Sequence, residues 1–123
     1  MQLEKRQDDS VAQISSTEVR DDGIIISAMT DMGSYGKVRF TINIESSGDR
    51  SAGVAYGAGR GALSDGTFLG GSFNGRWTRE GTLLVVHAID HVSNGDINFL
   101  KFEFDATENE ITLVNYAVNY AVN

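Results

Sequence analysis

Cysteine and proline are both absent from this chain. Without cysteine there is no disulfide, no thiol nucleophile and no cysteine-rich zinc site. Without proline, no strand is kept out of a sheet interior by a missing N–H. Positive charge is scarce: 10 Lys and Arg stand against 17 Asp and Glu, a formal net charge of −7. An acidic surface repels phosphate backbones and anionic headgroups, so nucleic acid and membrane surfaces are not expected partners. No apolar run has the length of a membrane-spanning helix. The opening residues, Met1 to Ser10, lack the apolar core of a signal peptide, and the expected location is cytoplasmic.

What is present is a hydrophobic fraction of 41% and 14 glycines in 123 residues, enough for one core in one domain. Turn signals recur at short intervals: Asp22-Gly23, Ser47-Gly48-Asp49, Asp65-Gly66, Glu80-Gly81, Asn94-Gly95 and Thr107-Glu108-Asn109. Between them no helical stripe is sustained, and strand-like runs fill the gaps. The clearest is 37–45, where Val38, Phe40, Ile42 and Ile44 alternate with Lys37, Arg39, Thr41, Asn43 and Glu45. Further strands are expected at about 11–20, 23–30, 51–63, 67–78, 82–92, 96–105 and 110–118. The expected fold is therefore all-β, an eight-stranded antiparallel meander closed into a small barrel. Residues 1–10 read as a polar arm, 11–118 as the barrel and 119–123 as a C-terminal tail. The duplicated Asn115-Tyr116-Ala117-Val118 and Asn119-Tyr120-Ala121-Val122 has no evident physical reason.

Side-chain directions follow from turn arithmetic, because one residue of slip reverses a strand. A three-residue link at Arg79-Glu80-Gly81 sets Thr78 opposite Thr82, and a two-residue Asn94-Gly95 turn sets His91 opposite Asn98. The inner face then comprises Leu69, Phe73, Trp77, Leu83, Val85, His87, Ile89, His91, Asn98, Leu100, Phe102, Phe104, Ile111 and Leu113. The opposite face includes Asp90, Lys101 and Glu103, together with apolar Leu84, Val86, Val92, Ile97, Phe99, Val114 and Tyr116. An exposed apolar patch of that kind predicts a homo-oligomer, unless the N-terminal segment covers it.

Two histidines and an asparagine among aromatic walls describe a small-molecule pocket. Imidazole titrates near neutrality, so His87 and His91 are the candidate catalytic acid–base groups. Phe73, Trp77 and Phe102 would wall the ligand, and Asn98 would orient it. The bland alternative is a pair of satisfied core histidines. His87-Ala88-Ile89-Asp90-His91 has the spacing of a zinc helix, but in a strand four residues span roughly 13 Å, so no metal site is expected. Gly57-Ala58-Gly59-Arg60-Gly61 precedes a strand rather than a helix, so it is no dinucleotide fingerprint. Its inward face depends on the next turn. A two-residue Asp65-Gly66 turn puts Tyr56 and Arg60 inside, where Arg60 could stabilise an anion or enolate. A three-residue turn puts the glycines inside instead, and the sequence leaves both open.

The stretch Gly59-Arg60-Gly61-Ala62-Leu63-Ser64-Asp65-Gly66-Thr67, followed by Gly71 and Gly75-Arg76-Trp77, resembles the allene oxide cyclase class of small barrels. The resemblance covers about the middle half of the chain and rests on turn and barrel features, so it carries over no catalytic residue. It implies an eight-stranded, often oligomeric barrel, in some members a cofactor-free cyclase enclosing a hydrophobic substrate. The expected function is binding of a small apolar molecule, with cofactor-independent isomerase or cyclase chemistry as its catalytic form. A non-enzymatic carrier and a structural oligomer with a solid core are the alternatives.

Overall fold

The computed structural model describes residues 1–121 apart from Ser47 and Asp49. Most of the expected turn at Ser47-Gly48-Asp49, and Val122 of the repeated tail, lie outside the described residues. The strands are β1 (Gln2–Glu4), β2 (Ser10–Arg20), β3 (Gly23–Asp31), β4 (Lys37–Glu45), β5 (Ala52–Ala62), β6 (Phe68–Glu80), β7 (Leu83–Val92), β8 (Ile97–Asp105) and β9 (Glu110–Asn119). Consecutive strands from β2 to β9 pair antiparallel, and β9 returns to β2, closing an eight-stranded barrel. No helix among the described residues is long and apolar enough to cross a membrane.

The polar arm adds one strand to this plan. Glu4 stands opposite Ala117 on β9 and Ser10 opposite Leu113, so β1 and β2 follow the same edge of β9. Five residues of link, 5–9, face only three of β9, and the excess forms a protruding loop. Arm residues were free to pair because the far half of that β9 edge offers unpaired backbone groups.

Three links decide which side chains enter the barrel. Between β5 and β6, the Leu63 N–H donates to Thr67 O (2.9 Å) and the Gly66 N–H to Leu63 O (3.0 Å), a three-residue turn. The glycines of β5 therefore face inward, while Tyr56 and Arg60 face solvent. Between β6 and β7, Glu80 pairs with Leu83, leaving a two-residue link. Gly81 occupies its first position at φ 59°, which a type II′ hairpin requires. Between β7 and β8, His91 pairs with Ile97, and Val92 N–H donates to Asp96 O at 2.9 Å. Here the link is three residues, 93–95, with Gly95 at φ 96°.

Both hairpins that flank β7 thus differ by one residue from the expected lengths. The two shifts cancel across β6 and β8, whose inward residues are as expected, and they reverse β7 alone. Leu84, Val86, Ala88 and Asp90 face the interior. Leu83, Val85, His87, Ile89 and His91 face outward, and His87 and His91 are exposed. Composition could not resolve this, since β7 carries apolar side chains on both faces.

The interior divides along the barrel axis. Toward the β6–β7 end, Trp77, Leu84 and Phe104 are buried in one hydrophobic cluster with Ile44 and Ile111. The Trp77 indole N–H donates to Glu45 O at 2.7 Å, which satisfies its only polar atom. The waist is aromatic: the Phe102 ring lies 5.6 Å from Phe40 and 5.1 Å from Phe73 between centroids. Full burial of a Phe102-sized side chain is worth about 1.5–3 kcal/mol.

Candidate functional site

Beyond the phenylalanine waist, toward the β3–β4, β5–β6 and β7–β8 links, the core opens. The reason is in the sequence of β5 and β6: Gly59, Gly61 and Gly71 supply wall without inward side chains. The resulting pocket is a cavity of about 60 Å³, floored by Phe40, Phe73 and Phe102 and flanked by Leu69, Val92 and Leu113. Its polar wall is Tyr35 and Asp90.

Tyr35 reaches this position from the β3–β4 link. Tyr35 N–H donates to Met32 O (2.9 Å) and Gly36 N–H to Gly33 O (3.2 Å), winding residues 33–35 into a single 3₁₀ turn. The turn folds the ring over the barrel end, where its hydroxyl donates to Asp96 Oδ2 at 2.7 Å. Asn98, 1% exposed, stands behind it. Its Nδ2 donates both to the Tyr35 hydroxyl (3.0 Å) and to Asp90 Oδ2 (3.1 Å). Asn94 Nδ2 adds a bond to the same Asp96 oxygen at 3.1 Å. A hydrogen-bonded chain therefore runs from the β7–β8 turn through Tyr35 and Asn98 to Asp90.

Burial sets the protonation of this chain. It raises the Asp90 carboxyl above its ordinary value, against the opposing hydrogen bond from Asn98. It pushes the Tyr35 phenol up to about 12, assisted by the Asp96 carboxylate that accepts its proton. Tyr35 thus keeps its proton at any ordinary pH. Among the described residues, two buried side-chain atoms have no protein partner: Gln7 Oε1, in the loop between β1 and β2, and Asn115 Nδ2.

The expected site residues fall into three places. Phe73 and Phe102 line the pocket, and Asn98 supports its polar wall. Trp77 is 3% exposed but lies toward the β6–β7 end, away from this pocket. His87, His91, Tyr56 and Arg60 are on the outer surface, where His87 packs beside Phe99 at 5.9 Å between centroids. The histidines were assigned inward through the hairpin lengths, and the two open alternatives for Arg60 and Tyr56 close on the glycine-inward one. Among the described residues no group of three or more His, Asp or Glu is placed to hold a metal ion.

Sequence reasoning missed Tyr35 and Asp90. Asp90 carried a signal, since an acidic residue alternates there with Leu84, Val86 and Ala88 on one strand face. Tyr35, between Gly33 and Gly36 in a short link, reads as a loop residue until the barrel closes above Asn98. Comparison of the chain with known protein families, with curated proteins and with solved structures finds no match.

Proposed function

We propose that the barrel binds a small, mostly apolar molecule carrying one hydrogen-bonding group, taken up at the Tyr35 end. The observation that supports this reading is a glycine-walled apolar cavity with one hydrogen-bonded polar cluster on its side. Pockets of that make-up suit ligands whose polar group fixes orientation while the walls exclude water. The cavity exceeds the roughly 10–15 Å³ that one water needs. It suits a compact ligand or the end of a longer one. A carrier needs nothing further.

A second reading is a cofactor-free isomerase or cyclase, the activity that the resemblance to allene oxide cyclase-type barrels implies. Its support within the barrel is Asp90, a carboxyl on the pocket wall with its proton affinity raised by burial. In that reading Asp90 takes the acid–base role expected of the histidines, and enclosure shapes the substrate.

Self-association belongs to the same proposal. Ile89, Phe99 and Tyr116 stand in register across the outer face of β7, β8 and β9, and Ile89 is 43% exposed. Sedimentation of the wild type and of Ile89→Lys checks it: a monomer in both defeats the idea.

The binding test is methyl-detected NMR titration with phenol, a probe that is apolar apart from one hydroxyl. Saturable shifts at Leu69, Val92, Leu100 and Leu113 are expected, reduced in Leu100→Phe, which fills the cavity. Shifts confined to outward-facing residues would defeat the reading for a ligand of this size.

A further inference from the structure

On the outer face of the barrel, two arginines stand directly opposite each other. Arg39 of β4 and Arg60 of β5 are cross-strand partners, and both are exposed. Like charges in that relation destabilise a sheet. Four of the chain's ten Lys and Arg residues, Lys5, Arg6, Arg20 and Lys101, lie within ion-pair distance of Asp9, Glu4, Glu18 and Glu103. Among the described residues, no carboxylate lies within that distance of Arg39 or Arg60. Among the described residues, the Arg60 guanidinium donates only to the adjacent Gly59 O, at 2.9 Å. Asp31, a neighbour on β3, is opposite Lys37 rather than Arg39. In a protein with net charge −7, acids were plentiful enough to pair both arginines.

The arginine pair also borders a concavity. The adjacent row, Ser27, Thr41 and Ala58, is in register across β3, β4 and β5 and consists of small side chains. Tall and short rows side by side make an open trough of about 460 Å³, whose walls include Arg39, Arg60, Thr41, Ser27 and Ser15. The Ser15 hydroxyl donates to Ser27 O at 3.2 Å. The Thr41 hydroxyl has no protein partner among the described residues and is free to donate into the trough. On the other side, Gly70 leaves room for the Arg60 guanidinium: a Cβ there would lie 3.3 Å from Nη1.

We propose that this trough binds a small oxyanion group, a phosphate or sulfate, between the guanidiniums of Arg39 and Arg60, with the Thr41 hydroxyl as a further donor. Guanidinium presents a planar fork of donors that matches such oxygens, and a bound dianion converts the repulsion between the arginines into joint attraction. The site is on the solvent side of the barrel wall and does not depend on the interior pocket.

The experiment is an amide NMR titration with inorganic phosphate and with phenyl phosphate, against sodium chloride at matched ionic strength. Saturable shifts are expected at Arg39, Thr41, Ala58 and Arg60. Arg39→Gln and Arg60→Gln should each weaken binding by about tenfold, the loss of a charge-assisted contact. Arg76→Gln, an exposed arginine on β6, should leave it unchanged. Tighter binding of phenyl phosphate assigns the site to a monoester, and tighter binding of inorganic phosphate assigns it to the free ion. Shifts that chloride reproduces, or that persist in both Arg39→Gln and Arg60→Gln, would overturn the proposal.

Discussion

Gly57 and Phe73 are cross-strand partners on β5 and β6, and the Phe73 ring occupies the space where a side chain at Gly57 would stand. A Cβ at position 57 would lie 2.6 Å from Phe73 Cζ and would also collide with the Thr41 carbonyl. Gly53 and Trp77 repeat the arrangement four residues along, beyond the inward Ala55, with the indole Nε1 2.7 Å from the corresponding point. Glycines on β5 are therefore the complement of aromatics on β6, and the inward glycine face is a packing requirement.

Gly57→Ala is expected to destabilise the barrel by about 1–3 kcal/mol or more, the cost of overpacking a filled core. Chemical denaturation checks this. Ala58→Gly, on the outward face of the same strand, is the comparison, with a loss of about 0.5–1 kcal/mol from backbone freedom alone. Equal losses at the two positions would contradict the inward glycine face.

Tyr35→Phe removes the donor to Asp96 and one acceptor for Asn98. The expected cost is about 1–3 kcal/mol, since a buried donor loses a partner and a charged acceptor loses a bond. The same change should loosen the 3₁₀ turn over the pocket. Hydrogen exchange at Tyr35 and Gly36 should accelerate more than exchange at Trp77, toward the opposite end of the barrel.

Asp90 predicts a pH dependence with a definite sign. Burial raises its folded-state proton affinity above that of the unfolded chain, so the folded state holds this proton more tightly. Its contribution therefore favours folding more as pH falls from neutral into the range between its folded and unfolded values. As pH rises through that window the contribution is lost. Asp90→Asn should remove this component, and the variant should be relatively more stable than the wild type at pH 7 than at pH 4. Melting curves of both proteins at the two pH values measure it. An unchanged difference would mean that Asp90 is solvated like a surface acid.

His87→Gln and His91→Gln should each change stability by no more than about 0.5 kcal/mol, as surface substitutions do. Neither should alter phenol binding inside the barrel. A large effect of either on interior methyl shifts would restore the inward placement of β7.

Much of the architecture was legible before any coordinates. Turn residues and alternating runs located all eight barrel strands to within a residue or two, because hydrophobic alternation and turn chemistry are local. They also oriented β4, where Val38, Phe40, Ile42 and Ile44 contrast sharply with their polar neighbours. On β7 the contrast vanishes, and orientation fell to the lengths of two hairpins. There Gly81 takes the first position of a two-residue turn, and Gly95 the last of a three-residue one. Both are glycines with positive φ, and a glycine alone does not disclose which turn it closes.

The sequence by itself determined an antiparallel all-β chain with a phenylalanine-rich interior, since those properties follow from side-chain periodicity within each strand. Tertiary structure alone decided that Asp90 rather than His91 enters the interior, that Tyr35 meets Asp96 and Asn98 across the barrel end, and that Arg39 faces Arg60. Each depends on the register between strands. One residue of slip there exchanges the two faces of a strand at little change in its local energy, and only closure of the whole barrel selects between them.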